Sequence, residues 1–536
     1  MKAIKYMAVA GMMALTASCS DFLEEYSQSS YYAESWEDLD ELLVGSGYLQ
    51  PQGCQVMGYS TNFGSFIHYL ADELDENNIA SSGGVLSNNK PYTFGYYTWQ
   101  QRAGQNQEYT DYYDDSEEWT QCYYGINVMN NILVALESVS CATEEEIRGC
   151  GKVRGEAYFL RALYYFWLVN MYGQPYNAAT AATDLGVPLK TSENVEDRKF
   201  DRNSVKEVYD QIVSDLEAAR EGFRAYDAEK SSIYRADSAA VNLLLSRVYL
   251  YMGRWQDCVD AAGRVLDGHG TLMDLNGSGT GSFAVADNVE NIFSMGGSDL
   301  PLQMGYMYQG CRVNSELYNS YSDNDLRRTQ WYWRNGIFVG CVKNEKGSDQ
   351  IPLEDPTYYN ENYVGSSWLG TGWEAKTIPV SSVFIFRTAE AYLNMAEAEA
   401  YLGHEKEARG WVNQLRNYRF QDGAADVDIT SSGEALVKDI RAERRRELAF
   451  EGHRWFDLRR YRVCPVFPER ISLTHYYTFY KDALGTEMTG RRCYVLTEDD
   501  PSWTLPIPYE VLEFNTGMQG NGNPFRMGEN VALPLN

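Results

Sequence analysis

Three short stretches gather residue types suited to holding a ligand without covalent chemistry. "YTFGYYTWQQR" carries Tyr92, Tyr96, Tyr97, Trp99, Gln101 and Arg102, and "RRTQWYWRN" carries Trp331, Tyr332, Trp333 and Arg334. "SSWLGTGWEAK" adds Trp368 and Trp373 beside glycines. Trp and Tyr rings offer flat apolar area at low entropy cost, and the amides and guanidinium groups beside them supply edge hydrogen bonds. A sugar ring, with its C–H face and hydroxyl rim, fits that pairing. The expected contacts are Tyr96, Tyr97, Trp99, Arg102, Trp331, Trp333 and Trp373. With 42 Tyr against 20 Phe, the chain has more ring hydroxyls than core filling needs.

Covalent chemistry is not expected. The five histidines form no HExxH, and there is no GxSxG elbow, P-loop or GxGxxG after a strand. A glycoside hydrolase, which needs only two carboxylates, is the rival enzyme reading, because 75 acidic residues single out no pair. "DELDENN" (72–78) and "DYYDDSEE" (111–118) offer oxygens of the kind calcium takes, but without EF-hand spacing they are read as solvated faces. No cofactor is expected, calcium being the one ion these runs would suit. A net charge of -29 disfavours nucleic acid and anionic lipid as partners.

One stretch runs against that charge. "AERRRELAFEGHRWFDLRRY" (442–461) holds six arginines, interleaved with Glu443, Glu447, Glu451 and Asp457. On a helix these spacings set Glu443 near Arg446, Arg444 near Glu447 and Glu451 near Arg454. Leu448, Phe450, Trp455, Phe456 and Leu458 supply apolar surface, so the segment is read as structural, with stems packed and charges paired internally.

The elements that must position the aromatic stretches are mainly helical. "KVRGEAYFLRALYYFWLVNMYG" (152–173) and "SVKEVYDQIVSDLEAAREGF" (204–223) show helical periodicity, the first stopped by Gly173 and Pro175. Residues 240–266 and 389–418 each read as helix, turn at Gly253 or Gly403, and second helix, in the manner of a tetratricopeptide unit, with a generic helical hairpin as the alternative. Residues 50–118 and 269–380 are rich in Gly, Asn, Ser, Tyr and Trp and are read as loop-rich insertions. The expected architecture is a helical scaffold over about 20–50, 119–268 and 384–461, a loop-rich ligand-binding part over about 50–118 and 269–380, and a C-terminal segment, 462–536.

The N-terminus "MKAIKYMAVAGMMALTASC" has a basic start, an apolar run too short to span a bilayer, and small residues before Cys19. It resembles a lipoprotein signal peptide, residues 1–18, with lipid attachment at Cys19. Nine cysteines then remain; with no CxxC, they are read mostly as small buried hydrophobes.

Taken in order, "CSDFLEE", "GEAYFLRALYYFWLVNMYGQPY", "PVSSVFIFRTAEAYLNMAEAEAYLG", "IRAERRRELAFEGHRWFDLRRY" and "TLPIPYEVLEFN" resemble the SusD/RagB lipoproteins. The resemblance implies a mainly α-helical fold of tetratricopeptide-like pairs with the ligand site on irregular loops. It also implies a non-catalytic, lipid-anchored outer-membrane protein facing the cell exterior. Such a protein would capture a glycan and deliver it to a TonB-dependent, SusC-like transporter. Peptide binding within the same family and a pure protein-interaction scaffold are the alternatives.

Overall fold

The computed structural model describes residues 33–48, 54–56, 59–61, 64, 66–76, 93–194, 196, 198–224, 226, 232–277, 287–295, 311–335, 338–341, 343, 380, 384–481 and 487–533; in the strands at 54–61 and over 333–338 it describes the backbone alone. Cys19, Trp368 and Trp373 lie outside the described residues, and Trp333 is described only as backbone.

The helical scaffold is as expected in kind. After α1 (Trp36–Leu42) and the single turn α2 (Phe94–Tyr97) come the long helices α3 (Glu117–Ala135), α4 (Glu144–Tyr172) and α5 (Val205–Arg224). Helix α4 starts eight residues before the apolar pattern does, because Thr143 and Glu146 close a capping box and three glutamates occupy its first turn. From Gly155 to Tyr172 it is buried on nearly every side, apart from Tyr158, as a helix apolar all round must be. Helix α5 crosses it where both chains are small: a Cβ on Gly222 would lie 2.8 Å from the Gly155 nitrogen and 2.9 Å from the Gly151 oxygen. A buried two-pronged bond from Arg161 to Asp215, 2.8 and 2.6 Å, ties the same pair.

Two helical hairpins follow the predicted outline. Helices α6 (Ser238–Met252) and α7 (Trp255–His269) turn at Gly253, φ 74°, and α8 (Thr388–Leu402) and α9 (Glu405–Asn417) turn at Gly403, φ 84°. Both turns need the left-handed conformation that glycine adopts without a Cβ penalty. Helix α8 packs against α7, α9 and α10 (Gly433–Glu447), and Arg247 of α6 reaches Glu390 of α8 with bonds of 2.6 and 2.7 Å.

Residues 442–461 are structural, but not as one helix whose charges pair along its face. Helix α10 ends at Glu447, Phe450 and Gly452 take positive φ, and α11 (Arg454–Arg462) begins anew. The segment is buried, so its charges pair across the fold. Glu443 does meet Arg446 (2.7 Å) as predicted. Arg444 instead pairs with Asp457 (2.8 Å), and both Arg445 and Arg454 pair with Asp72 (3.1 and 2.7 Å). Glu447 accepts from Arg327 (2.8 Å), Arg387 (3.0 Å) and Arg419 (2.9 and 3.0 Å). Arg387 also holds Glu451 and Glu290, and Arg419 also holds Glu290. These groups are withdrawn from water and together pin α10 to residues 290, 327, 387 and 419.

Two features were not anticipated. Cys141 and Cys150 form a disulfide, an exception to the reading of the cysteines as mostly small buried hydrophobes; Cys122, Cys258, Cys311 and Cys341 are buried. The C-terminal segment builds an antiparallel sheet in which Leu473–Tyr480 pairs with Met488–Leu496, and Glu529–Asn530 is added at the edge. Leu473, His475 and Tyr477 point inward and Thr474 and Tyr476 outward, the two-residue alternation of a half-buried strand.

Candidate functional site

The inward face of that sheet is the floor under residues 93–116. Phe94 sets its edge against Tyr477 at 4.9 Å and lies 6.0 Å from Tyr494. Tyr97 and Trp99 both stack on His475, at 4.2 and 4.3 Å. Trp99 is only 3% exposed, takes φ 50°, and donates its indole N–H to the Leu70 carbonyl at 3.0 Å. His475 places Nδ1 2.7 Å from the Tyr97 carbonyl and Nε2 3.0 Å from that of Ala71. Burial lowers its pKa from the ordinary histidine value, and the two carbonyls resist that shift.

The expectation that Tyr97, Trp99 and Trp331 present open faces is therefore corrected. Tyr97 is buried, and Trp331 is buried with the Lys343 ammonium 4.2 Å from its ring centre. Gln100, next to Trp99, is itself buried and donates to the Thr98 hydroxyl and to the Arg526 carbonyl, so a polar neighbour does not mark an open face. Tyr96 is half-buried and stacks on Phe66 at 4.6 Å.

Arg102 alone among the described candidates reaches an open aromatic surface. Its guanidinium lies between two rings, 3.7 Å from the centre of Tyr112 and 4.4 Å from that of Tyr509, and these tyrosines stay 46% and 44% exposed. Residues 104–113 form a small hairpin that carries Tyr112: Tyr113 N–H donates to the Gly104 carbonyl at 2.7 Å, Asn106 N–H to that of Asp111 at 3.1 Å, and Gln105 bridges to Tyr112. Tyr509 opens the short helix α12 (Tyr509–Phe514). Asp115 joins the two walls, accepting from the backbone N–H of Gly104 at 3.4 Å and facing that of Tyr509. Burial raises the Asp115 carboxyl above its ordinary range, while Arg102 and those N–H groups pull the other way. The Glu513 carboxylate holds the Tyr509 hydroxyl above the usual phenol value. Next along the surface, Tyr109 meets Phe525 edge-on at 5.2 Å and shares a 2.8 Å hydroxyl contact with Tyr494; Phe525 is half exposed.

This arrangement offers two aromatic faces flanking a planar five-donor cation, suited to stacking and edge hydrogen bonding. Sequence reasoning missed Tyr112 and Tyr509. Tyr112 sat in what read as an acidic run and Tyr509 in a Pro-broken closing segment, and nothing local marks that the two meet. Among the described residues no three His, Cys, Asp or Glu side chains gather to hold a metal ion, and no helix is long and apolar enough to cross a membrane.

Family profiles match along most of the chain: one described as starch-binding, associating with outer membrane, over residues 61–250, and the SusD family profile over residues 276–525. The chain belongs to the SusD/RagB family. Arg102 and Tyr112 fall in the first matched SusD/RagB region and Tyr509 in the second. SusD-like protein P2 of Formosa agariphila is 27% identical over 391 residues, spanning 64% of this chain and 71% of that protein. A putative sugar binding protein from Bacteroides vulgatus superposes with a TM-score of 0.67 at 18% identity, covering 92% of this chain and 99% of its own. Surface glycan-binding protein A from Bacteroides uniformis gives 0.62 at 18% identity, with 90% and 99% covered. At such identities the likeness to these solved structures is one of SusD/RagB fold.

Proposed function

We propose that this chain is a non-catalytic surface lipoprotein, anchored through Cys19 to the outer membrane. It binds an oligosaccharide and passes it to a TonB-dependent, SusC-like transporter. The observation that carries the binding role is the exposed Tyr112–Arg102–Tyr509 stack, built on a rigid floor of core aromatics. A sugar's C–H face lies on a tyrosine ring while Arg102 donates to ring or hydroxyl oxygens at its edge. Pre-positioning by Asp115 and the sheet below lowers the entropy lost on binding. Family membership supports the reading, as do the sugar- and glycan-binding names of structural neighbours. Trp333 and Trp373 are retained as further contacts contributed from the insertions. The test is a glycan array probed with protein starting at residue 20, with peptides on the same array. Retention of one oligosaccharide class without its turnover is expected; hydrolysis, or retention of peptides alone, overturns the reading.

A further inference from the structure

Arg102 differs from the arginines that build the scaffold. In α10 and α11, Arg444, Arg445, Arg446, Arg454 and Arg460 each have a carboxylate partner, and Arg459 donates to the carbonyls of Asn170 and Gly173. The Arg102 guanidinium has neither an ion pair nor a hydrogen bond among the described residues, and its Nε is enclosed without an acceptor. Asp115 acts on it electrostatically but accepts its hydrogen bond from the backbone of Gly104. Two rings hold the guanidinium plane in place, so its donors are oriented before any ligand arrives.

In a chain of net charge -29, an anionic ligand is disfavoured over most of the surface, and a guanidinium without an ion pair is a point that can receive it. A guanidinium fork matches a planar carboxylate, and a carboxylate attached to a stackable ring is a uronic acid. We propose, resting on the glycan-binding reading above, that this site selects an acidic glycan. Arg102 receives a uronate carboxylate while Tyr112 and Tyr509 stack on sugar faces beside it. Asp115, Asp111 and Glu513 near Arg102 are carboxylates that oppose a second anion, so one carboxylate is taken at this point rather than a run of them.

The test titrates the full mature chain with oligogalacturonate, oligomannuronate and oligoglucuronate, each beside its methyl ester, and with a neutral galactan oligomer and a sulfated one. One uronate is expected to bind at least thirtyfold more tightly than its own ester, with affinity falling as salt rises. Arg102→Gln should abolish that ratio, weakening the acid by a far larger factor than its ester, which also loses the edge hydrogen bond, and Arg102→Lys should keep part of the ratio. Unchanged melting of both variants excludes a folding defect. Equal binding of acid and ester, preference for the neutral or sulfated oligomer, or an intact ratio in Arg102→Gln overturns the inference while leaving glycan binding standing. Failure of every oligosaccharide to bind overturns both.

Discussion

Glu447→Gln tests how the scaffold is held. The carboxylate is fully buried and accepts from Arg327, Arg387 and Arg419. Burial alone would raise its pKa, but Arg419, Arg387 and Arg327 outweigh burial and hold it well below the ordinary value. The amide keeps the volume, loses the charge and turns an N–H₂ toward a guanidinium. Each arginine retains another carboxylate, Asp325 and Glu443 for Arg327, Glu290 and Glu451 for Arg387, and Glu290 for Arg419. The loss is therefore that of one partner in a buried network, about 3–5 kcal/mol. With an unfolding entropy of about 2.1 cal/mol/K per residue, a chain this long loses about 1 °C of Tm per kcal/mol. Calorimetry should show Tm lowered by about 3–5 °C at pH 7. The sign with pH follows: a depressed carboxyl stabilises above its unfolded value, near 4.3, and that contribution is lost as pH falls toward the folded value. The gap between wild type and variant should hold from pH 7 to 5 and narrow below about 4.3. Arg328→Gln, which removes an exposed pair with Asp323, should shift stability by less than about 1 kcal/mol. A Glu447→Gln protein melting within 1 °C of wild type, or above it, refutes the reasoning.

Two further outcomes follow from buried groups. Replacing Cys141 and Cys150 by serine opens a link between residues nine apart and should cost about 2–3 kcal/mol, read as a lower urea midpoint at unchanged slope. His453 is buried, and burial with Arg247, Arg444, Arg387 and Lys343 around it holds its pKa well below 6.5. The unfolded chain takes up a proton there below pH 6.5 and the folded chain does not. Stability should therefore fall as pH drops from 6.5, and His453→Gln should flatten that slope by up to about 1.4 kcal/mol per pH unit; an identical slope in the variant contradicts the assignment.

The scaffold was legible where local signals sufficed. Gly253 and Gly403 announced their turns, and the periodicity of 204–223 gave α5 to within a residue. Arg-rich 442–461 was legible as structure, but its partners were not: the break at Phe450 and Gly452 and the reach of Glu447 to residues 327, 387 and 419 are set by tertiary packing. The disulfide gave no signal, since Cys141 and Cys150 follow no known spacing. The C-terminal sheet could have been found from the alternation in "LTHYYTFY". The site was the least legible part. Trp99 looked like a binding residue for its polar neighbours, yet the sheet some 375 residues later covers it, while Arg102 three positions on stays open because α12 supplies a second ring rather than a lid.

The central claim is that the Tyr112–Arg102–Tyr509 platform binds glycan. Isothermal titration of an array-selected oligosaccharide into wild type and into Tyr112→Ala, Tyr509→Ala and the double variant measures it. Loss of each ring is expected to weaken binding at least about tenfold, about 1.4 kcal/mol, with melting unchanged. Wild-type affinity in the double variant contradicts the account.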